Sequence, residues 1–164
     1  MTMRWANLLY RDDYGAAAAE MALIIPLALA LIFTTFEGAY YMICEHRVVK
    51  GVRDAARYAA RLDLSNYSCP AGTFSGSSAT VQNLARTGLL TGGTATVSGW
   101  VNGDVTIAVT CASGQGGIYL ATGGYAPRVN VSTRVAYPSL MGSMGFSSAT
   151  IYIGASAQSP VIGL

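Results

Sequence analysis

Glu20 is the residue best placed to do chemistry, because it is the single charged residue in an apolar run of 21 residues, 16–36 (AAAAEMALIIPLALALIFTTF). A carboxylate costs ~2.5–3.5 kcal/mol at the centre of a bilayer on the insertion scale, and less about one turn from the end of the run, where Glu20 sits. It has two readings: a side chain that reaches the headgroups or is neutralised by a proton, or one that waits for a cation from another chain. Gly15 stands directly before the run and Ala16 opens it. Read locally, Gly15 is also acceptable as a helix N-cap. A second chemical pair is Cys69 and Cys111, which flank a stretch of 41 residues. In an oxidising compartment they would form a disulfide, and closing such a loop stabilises a small domain by ~4 kcal/mol in the chain-entropy model. Cys44 is left over, as a small apolar packing residue or an intermolecular thiol.

The remaining residue types exclude most catalysis. His46 is the only histidine, so neither a histidine-rich metal site nor a Ser-His-Asp arrangement elsewhere can be built. No glycine loop precedes a Lys-Ser or Lys-Thr pair, and Asp63 and Asp104 form no carboxylate pair for acid-base work. No catalytic residue, metal or cofactor is expected. Asn66-Tyr67-Ser68 and Asn130-Val131-Ser132 match the glycosylation acceptor pattern, which chance also produces often.

These residues need elements to carry them. At ~1.5 Å per residue, residues 16–36 make ~31 Å of helix, the thickness of a bilayer's hydrocarbon core. The rival is a cleaved secretory signal ending at Ala28-Leu29-Ala30, but that cut would split the apolar run. Pro26 lies inside the helix, where it removes one backbone hydrogen bond and predicts a kink. Beyond the run no proline interrupts residues 37–62. Val48, Val52, Ala55, Ala59 and Leu62 follow helical spacing, with Arg47, Lys50, Asp54, Arg57 and Arg61 on another face. One amphipathic helix continues out of the membrane, its alanines admitting a close neighbour.

The carboxyl half has another solvent in view. Residues 1–63 hold fourteen of the eighteen charged residues, and the rest of the chain carries only Arg86, Asp104, Arg128 and Arg134. A net charge of +2 is far from the cationic load of a nucleic-acid binder. Counting Arg4 and Arg11 against Arg47, Lys50 and Arg53 favours a cytoplasmic carboxyl half by the positive-inside rule. Its sparse charge, its Ser, Thr and Gly content and its cysteine pair favour the opposite, and an extracytoplasmic domain is the expectation. Residues 79–90 predict a short helix with Val81, Leu84, Ala85 and Leu89 on one side. Four strands follow: one through Ala95, Val97 and Val101, then a hairpin turn at Asn102-Gly103, then Val105–Cys111, Val129–Tyr137 and one through Ile151, Ile153 and Ala155. The fold class is therefore α+β: a long amino-terminal transmembrane helix running into a small domain with one short helix and a four-stranded antiparallel sheet. Residues 112–127 and 138–148 are left as exposed loops bearing Tyr119, Tyr125, Met141, Met144 and Phe146, either as a contact surface or as closure of the core.

Gly15, then Glu20, Ala22-Leu23, Pro26, the apolar run, Glu37 and later Arg53-Asp54-Ala55-Ala56-Arg57-Tyr58-Ala59 form an arrangement that resembles the TadE-like proteins. These are minor-pilin-like components, or pseudopilins, of the tight-adherence (Tad) branch of the type IV pilus superfamily. The resemblance covers about residues 11–62, with Met21 where many members carry Phe or Tyr. It implies a pilin-like plan and cutting by a prepilin peptidase between Gly15 and Ala16, which leaves glutamate at the fifth position. Residues 1–15 would be a cytoplasmic leader, 16–36 the membrane span, 37–62 the helix extension and 63–164 the periplasmic domain, on the bacterial inner membrane. Partners implied are a Flp-type major pilin, a second minor pilin, the peptidase and the inner-membrane pilus platform, in pilus assembly and adhesion. Two other readings stay open: a permanently anchored periplasmic binding module, and an adhesin released by signal peptidase.

Overall fold

A computed structural model of the chain describes residues 13–145 and 151–163. The expected leader residues Arg4, Arg11 and Asp12, and Phe146 of the second loop, lie outside them. The first element is a 48-residue helix, α1 (Asp13–Ala60), continuous through Pro26. The chain divides into two compact units with the break at Ala39 and Tyr40, within α1.

The first unit is helical throughout its described residues. From Gly15 to Phe36 every residue is exposed, with Leu23 at 77% and Leu27 at 64%. The hydroxyls in this stretch are satisfied within the helix: Thr34 Oγ1 donates to the Ala30 carbonyl and Thr35 Oγ1 to the Ile32 carbonyl, each at 2.7 Å. Such back-bonding lets threonine sit in an apolar environment with no outside partner.

The second unit is built on the other end of α1. Cys44, Val48, Val52, Ala55 and Ala59 are fully buried, while Arg47, Lys50, Arg57 and Arg61 of the expected polar face are exposed, Asp54 is half-buried, and Arg53 is exposed as well. Leu62, the expected last member of that stripe, lies past the helix end and is half-buried. After a 3-10 turn come two short strands, β1 (Tyr67–Ser68) and β2 (Thr73–Phe74), paired antiparallel. Helix α2 (Ser78–Thr87) follows. It starts where the Ser77 hydroxyl accepts the Thr80 N–H at 3.3 Å and stops at Gly88, whose φ of 75° suits glycine and closes the helix onto the Leu84 carbonyl. Expected to reach residue 90, this helix therefore ends three residues earlier.

The main sheet has strand order β3 (Val105–Ala112), β4 (Ala126–Ala136), β5 (Tyr152–Pro160), all antiparallel. In the central strand Val129, Val131, Thr133 and Val135 alternate with outward residues and are buried. They join Val105, Val109, Ile153, Val81, Ala85 and the α1 stripe in one core, with Trp100, Tyr67 and Val161 completing it.

The sheet corrects one expectation. Among the described residues it has three strands, and the second sheet is the two-residue ladder β1–β2. No strand forms through Ala95 to Val101, and Asn102–Asp104 is a 3-10 turn, not a hairpin turn. The cause is long-range. The Arg86 carbonyl accepts both the N–H and the hydroxyl of Thr96, at 2.8 and 3.0 Å, and the Arg86 guanidinium donates to the Trp100 carbonyl at 2.8 Å and to Asn102 Oδ1. The backbone groups that a strand would offer to β3 are tied to the end of α2 instead. Gly92, Gly93 and Gly99, all at positive φ, break the extended run on either side.

Candidate functional site

Three residues singled out for chemistry, Gly15, Ala16 and Glu20, stand together on the exposed first part of α1. Ala16 and Glu20 are four residues apart, so they share one helix face one turn apart. Gly15 is the third residue of α1, inside the helix, and the N-cap reading is thereby excluded. A Cβ added to Gly15 meets nothing within 4 Å. Glycine inside a helix costs ~1 kcal/mol relative to alanine, and no steric demand in the described residues asks for it here. Gly51 is the opposite case, since its added Cβ would clash with the Ala85 carbonyl and lie 3.2 Å from the Trp100 ring. Gly51 is where α2 crosses α1 against bare backbone.

Pro26 lies six residues beyond Glu20, its missing N–H leaving the Ala22 carbonyl without its usual helical donor. Among the described residues one helix is long and apolar enough to cross a membrane, and its apolar window is unburied. A soluble protein would bury such a surface, because each large aliphatic side chain gains ~1.5–3 kcal/mol on leaving water.

The cysteine pair belongs to the second unit. Cys69, just after β1, and Cys111, near the end of β3, are joined as a disulfide with Cα atoms 5.9 Å apart. The bond fastens the β1–β2 ladder to the edge of the main sheet. Cys44 is buried in the core among apolar residues, where a packing thiol belongs. His46 is exposed on α1. Among the described residues no group of three or more His, Cys, Asp or Glu could hold a metal ion.

Sequence reasoning missed several polar groups that position these elements. Tyr67, itself buried, donates its hydroxyl to the Ala59 carbonyl in the last turn of α1, and burial pushes its phenol up to about 12. Trp100 Nε1 donates to Thr133 Oγ1 at 3.0 Å, and Thr133 Oγ1 donates onward to the Asp104 carbonyl at 2.8 Å. Thus the one buried polar residue of the sheet satisfies the indole. At the start of the 3-10 turn the Ser65 hydroxyl and N–H hold the Asp63 carboxyl below the usual carboxylate range. Nothing local in the sequence marks Thr133 or Arg86 for these roles, since Thr96 lies 10 residues from Arg86 and Trp100 lies 33 from Thr133.

The model of the TadE-like protein family matches residues 15–57. The match begins at Gly15 and takes in Ala16, Glu20, Pro26 and most of the buried stripe of α1. It agrees with the resemblance carried by those residues, while the disulfide and both sheets lie beyond it. The matched family is one of Tad pilus components rather than of enzymes, and the match takes in 43 of the chain's 164 residues. No curated protein and no solved structure matches the chain.

Proposed function

We propose that this chain is a TadE-like minor pilin, a membrane-held subunit that helps to build a Tad pilus with other pilin-type subunits. The observation that carries this reading is the exposed apolar helix with a single acid, Glu20, five residues beyond a glycine that the fold does not need. In this reading residues 1–15 are a cytoplasmic leader removed by a prepilin peptidase, residues 16–36 span the inner membrane, and residues 37–62 lead into a periplasmic domain.

Cutting after Gly15 does two things at once. It creates a free amine on Ala16, and it leaves the N–H groups of Ala16 to Ala19 without helical acceptors, a concentration of positive charge at a helix terminus. Glu20 of a neighbouring subunit can meet that charge. At an effective dielectric of about 20, two unit charges 4 Å apart attract by ~4 kcal/mol, which offsets the cost of holding the carboxylate in lipid. Because the interaction is short-ranged, it also fixes the register of helices packed side by side. The disulfide supports the periplasmic assignment, since such bonds persist in oxidising compartments and are rare in the cytosol. A disulfide within the folded unit is a stronger sign of compartment than the count of Lys and Arg beyond the span.

Replacing Glu20 with Gln removes the charge and keeps the shape. The expected outcome is a chain still inserted in the membrane at normal level, with pili reduced at least about tenfold by electron microscopy, one pair of this size exceeding 1.4 kcal/mol. Normal piliation with Glu20→Gln would instead favour a permanently anchored binding module.

A further inference from the structure

Strand β5 is one of the two edges of the main sheet, with β4 on one side and no strand on the other among the described residues. Its end contacts define which backbone groups point outward. The Tyr137 N–H donates to the Ile151 carbonyl and the Val161 N–H to the Pro127 carbonyl, so odd-numbered residues of β5 face β4. The N–H and C=O groups of Gly154, Ser156 and Gln158 therefore point away from the sheet.

Edges of this kind invite strand pairing, and proteins blunt them with charged side chains, bulges or prolines on the strand itself. Here β5 carries no charged residue, and Pro160 stands only at its end. Between this edge and α1 lies a groove of about 320 Å³, lined by Arg53 and Arg57 on one wall and by Ser156 and Gln158 on the other. Both arginines are exposed, and among the described residues neither is held in an ion pair. No acidic residue lines the groove.

We infer that the β5 edge receives an extended acidic segment of a different protein, which adds a strand to the sheet while its carboxylates meet Arg53 and Arg57. The spacing fits. Residues four apart on a helix rise ~6.0 Å, and alternate residues of a strand, which share one face, are ~6.6–6.8 Å apart. Two acids at alternate positions of the added strand thus match the two guanidinium groups, while main-chain hydrogen bonds supply the rest of the affinity. A second copy of this chain fits poorly, because pairing β5 with β5 would bring both arginine pairs to one seam. The inference does not depend on Glu20 or on processing at Gly15.

The test uses the full chain in detergent and a fluorescein-labelled hexapeptide alternating glutamate with valine, read by anisotropy. Binding of the glutamate peptide should exceed that of its glutamine counterpart about tenfold, the combined effect of two exposed charge pairs. The double variant Arg53→Gln/Arg57→Gln should erase that difference. Ser156→Pro removes an outward N–H at a position where an edge strand tolerates proline, so it should leave the thermal midpoint near that of the parent and abolish binding of the glutamate peptide. A fully N-methylated glutamate peptide, which keeps its charge and cannot donate, should fail to bind the parent, and it decides the matter if Ser156→Pro does not fold. Equal binding of the glutamate and glutamine peptides overturns the inference, as does undiminished binding of the N-methylated one. So does a dimer of the chain that Ser156→Pro dissolves while the glutamate peptide shows no binding, which would make the occupant a second copy.

Discussion

Two glycines in one helix show how differently the same residue can be used. Gly51 is required by packing, because the Ala85 carbonyl occupies the place of its missing side chain. Gly38 has nothing within 4 Å of an added Cβ. Helix propensity alone predicts that Gly→Ala stabilises either site by ~1 kcal/mol. We expect Gly38→Ala to follow that rule and Gly51→Ala to lose a net ~1–3 kcal/mol through overpacking, measured as opposite shifts in thermal midpoint. Sequence could not separate the two, since the need for Gly51 comes from a helix that crosses it more than thirty positions later. Tyr67 offers a second residue-level test. Its phenol is raised to about 12 from the ordinary value near 10, so the folded state holds its proton more tightly than the unfolded state. The stability it contributes is complete below pH 10 and is lost as pH rises from about 10 to 12. Tyr67→Phe should lower stability by ~0.5–1.5 kcal/mol at neutral pH and flatten that alkaline decline relative to the parent in denaturant titrations.

At the scale of elements, the parts legible in the sequence are those whose pattern is local. The stripe of Val48, Val52, Ala55 and Ala59 follows the helical period, and it is buried along its length. The strands at Val105 and Val129 alternate with a period of two, and both form. Ala95, Val97 and Val101 imitate that alternation, but the strand does not form, because Arg86 binds Thr96, Trp100 and Asn102 and so ties the segment to α2. The short β1–β2 ladder is invisible for a related reason: two-residue strands carry no period. Tyr67 anchors it in the core, and the bond between Cys69 and Cys111 fastens it covalently to β3. In the chain-entropy model that loop is worth ~4 kcal/mol, so the double variant Cys69→Ser/Cys111→Ser should unfold at lower denaturant, with a loss of ~2–5 kcal/mol. Reductant should reproduce the loss in the parent and leave the variant unchanged, because Cys44 makes no bond.

At the scale of the whole molecule, the chain joins two units with different surfaces. One, over its described residues, is a helix that is exposed from Gly15 to Phe36 and carries Glu20 as the single charge of that stretch, and the other is an α+β unit that buries its own core. The first is legible because length and hydropathy are additive along the chain; the second is legible in class and only partly in topology. For a minor pilin of the kind proposed, function turns on the creation of a new amino terminus that meets Glu20 of an adjacent copy. The mass of the protein extracted from membranes of a piliated cell tests this most directly. The expected product is a chain that begins at Ala16, with Gly15→Leu restoring the longer form. A working chain that begins at Met1 or Thr2 would contradict it.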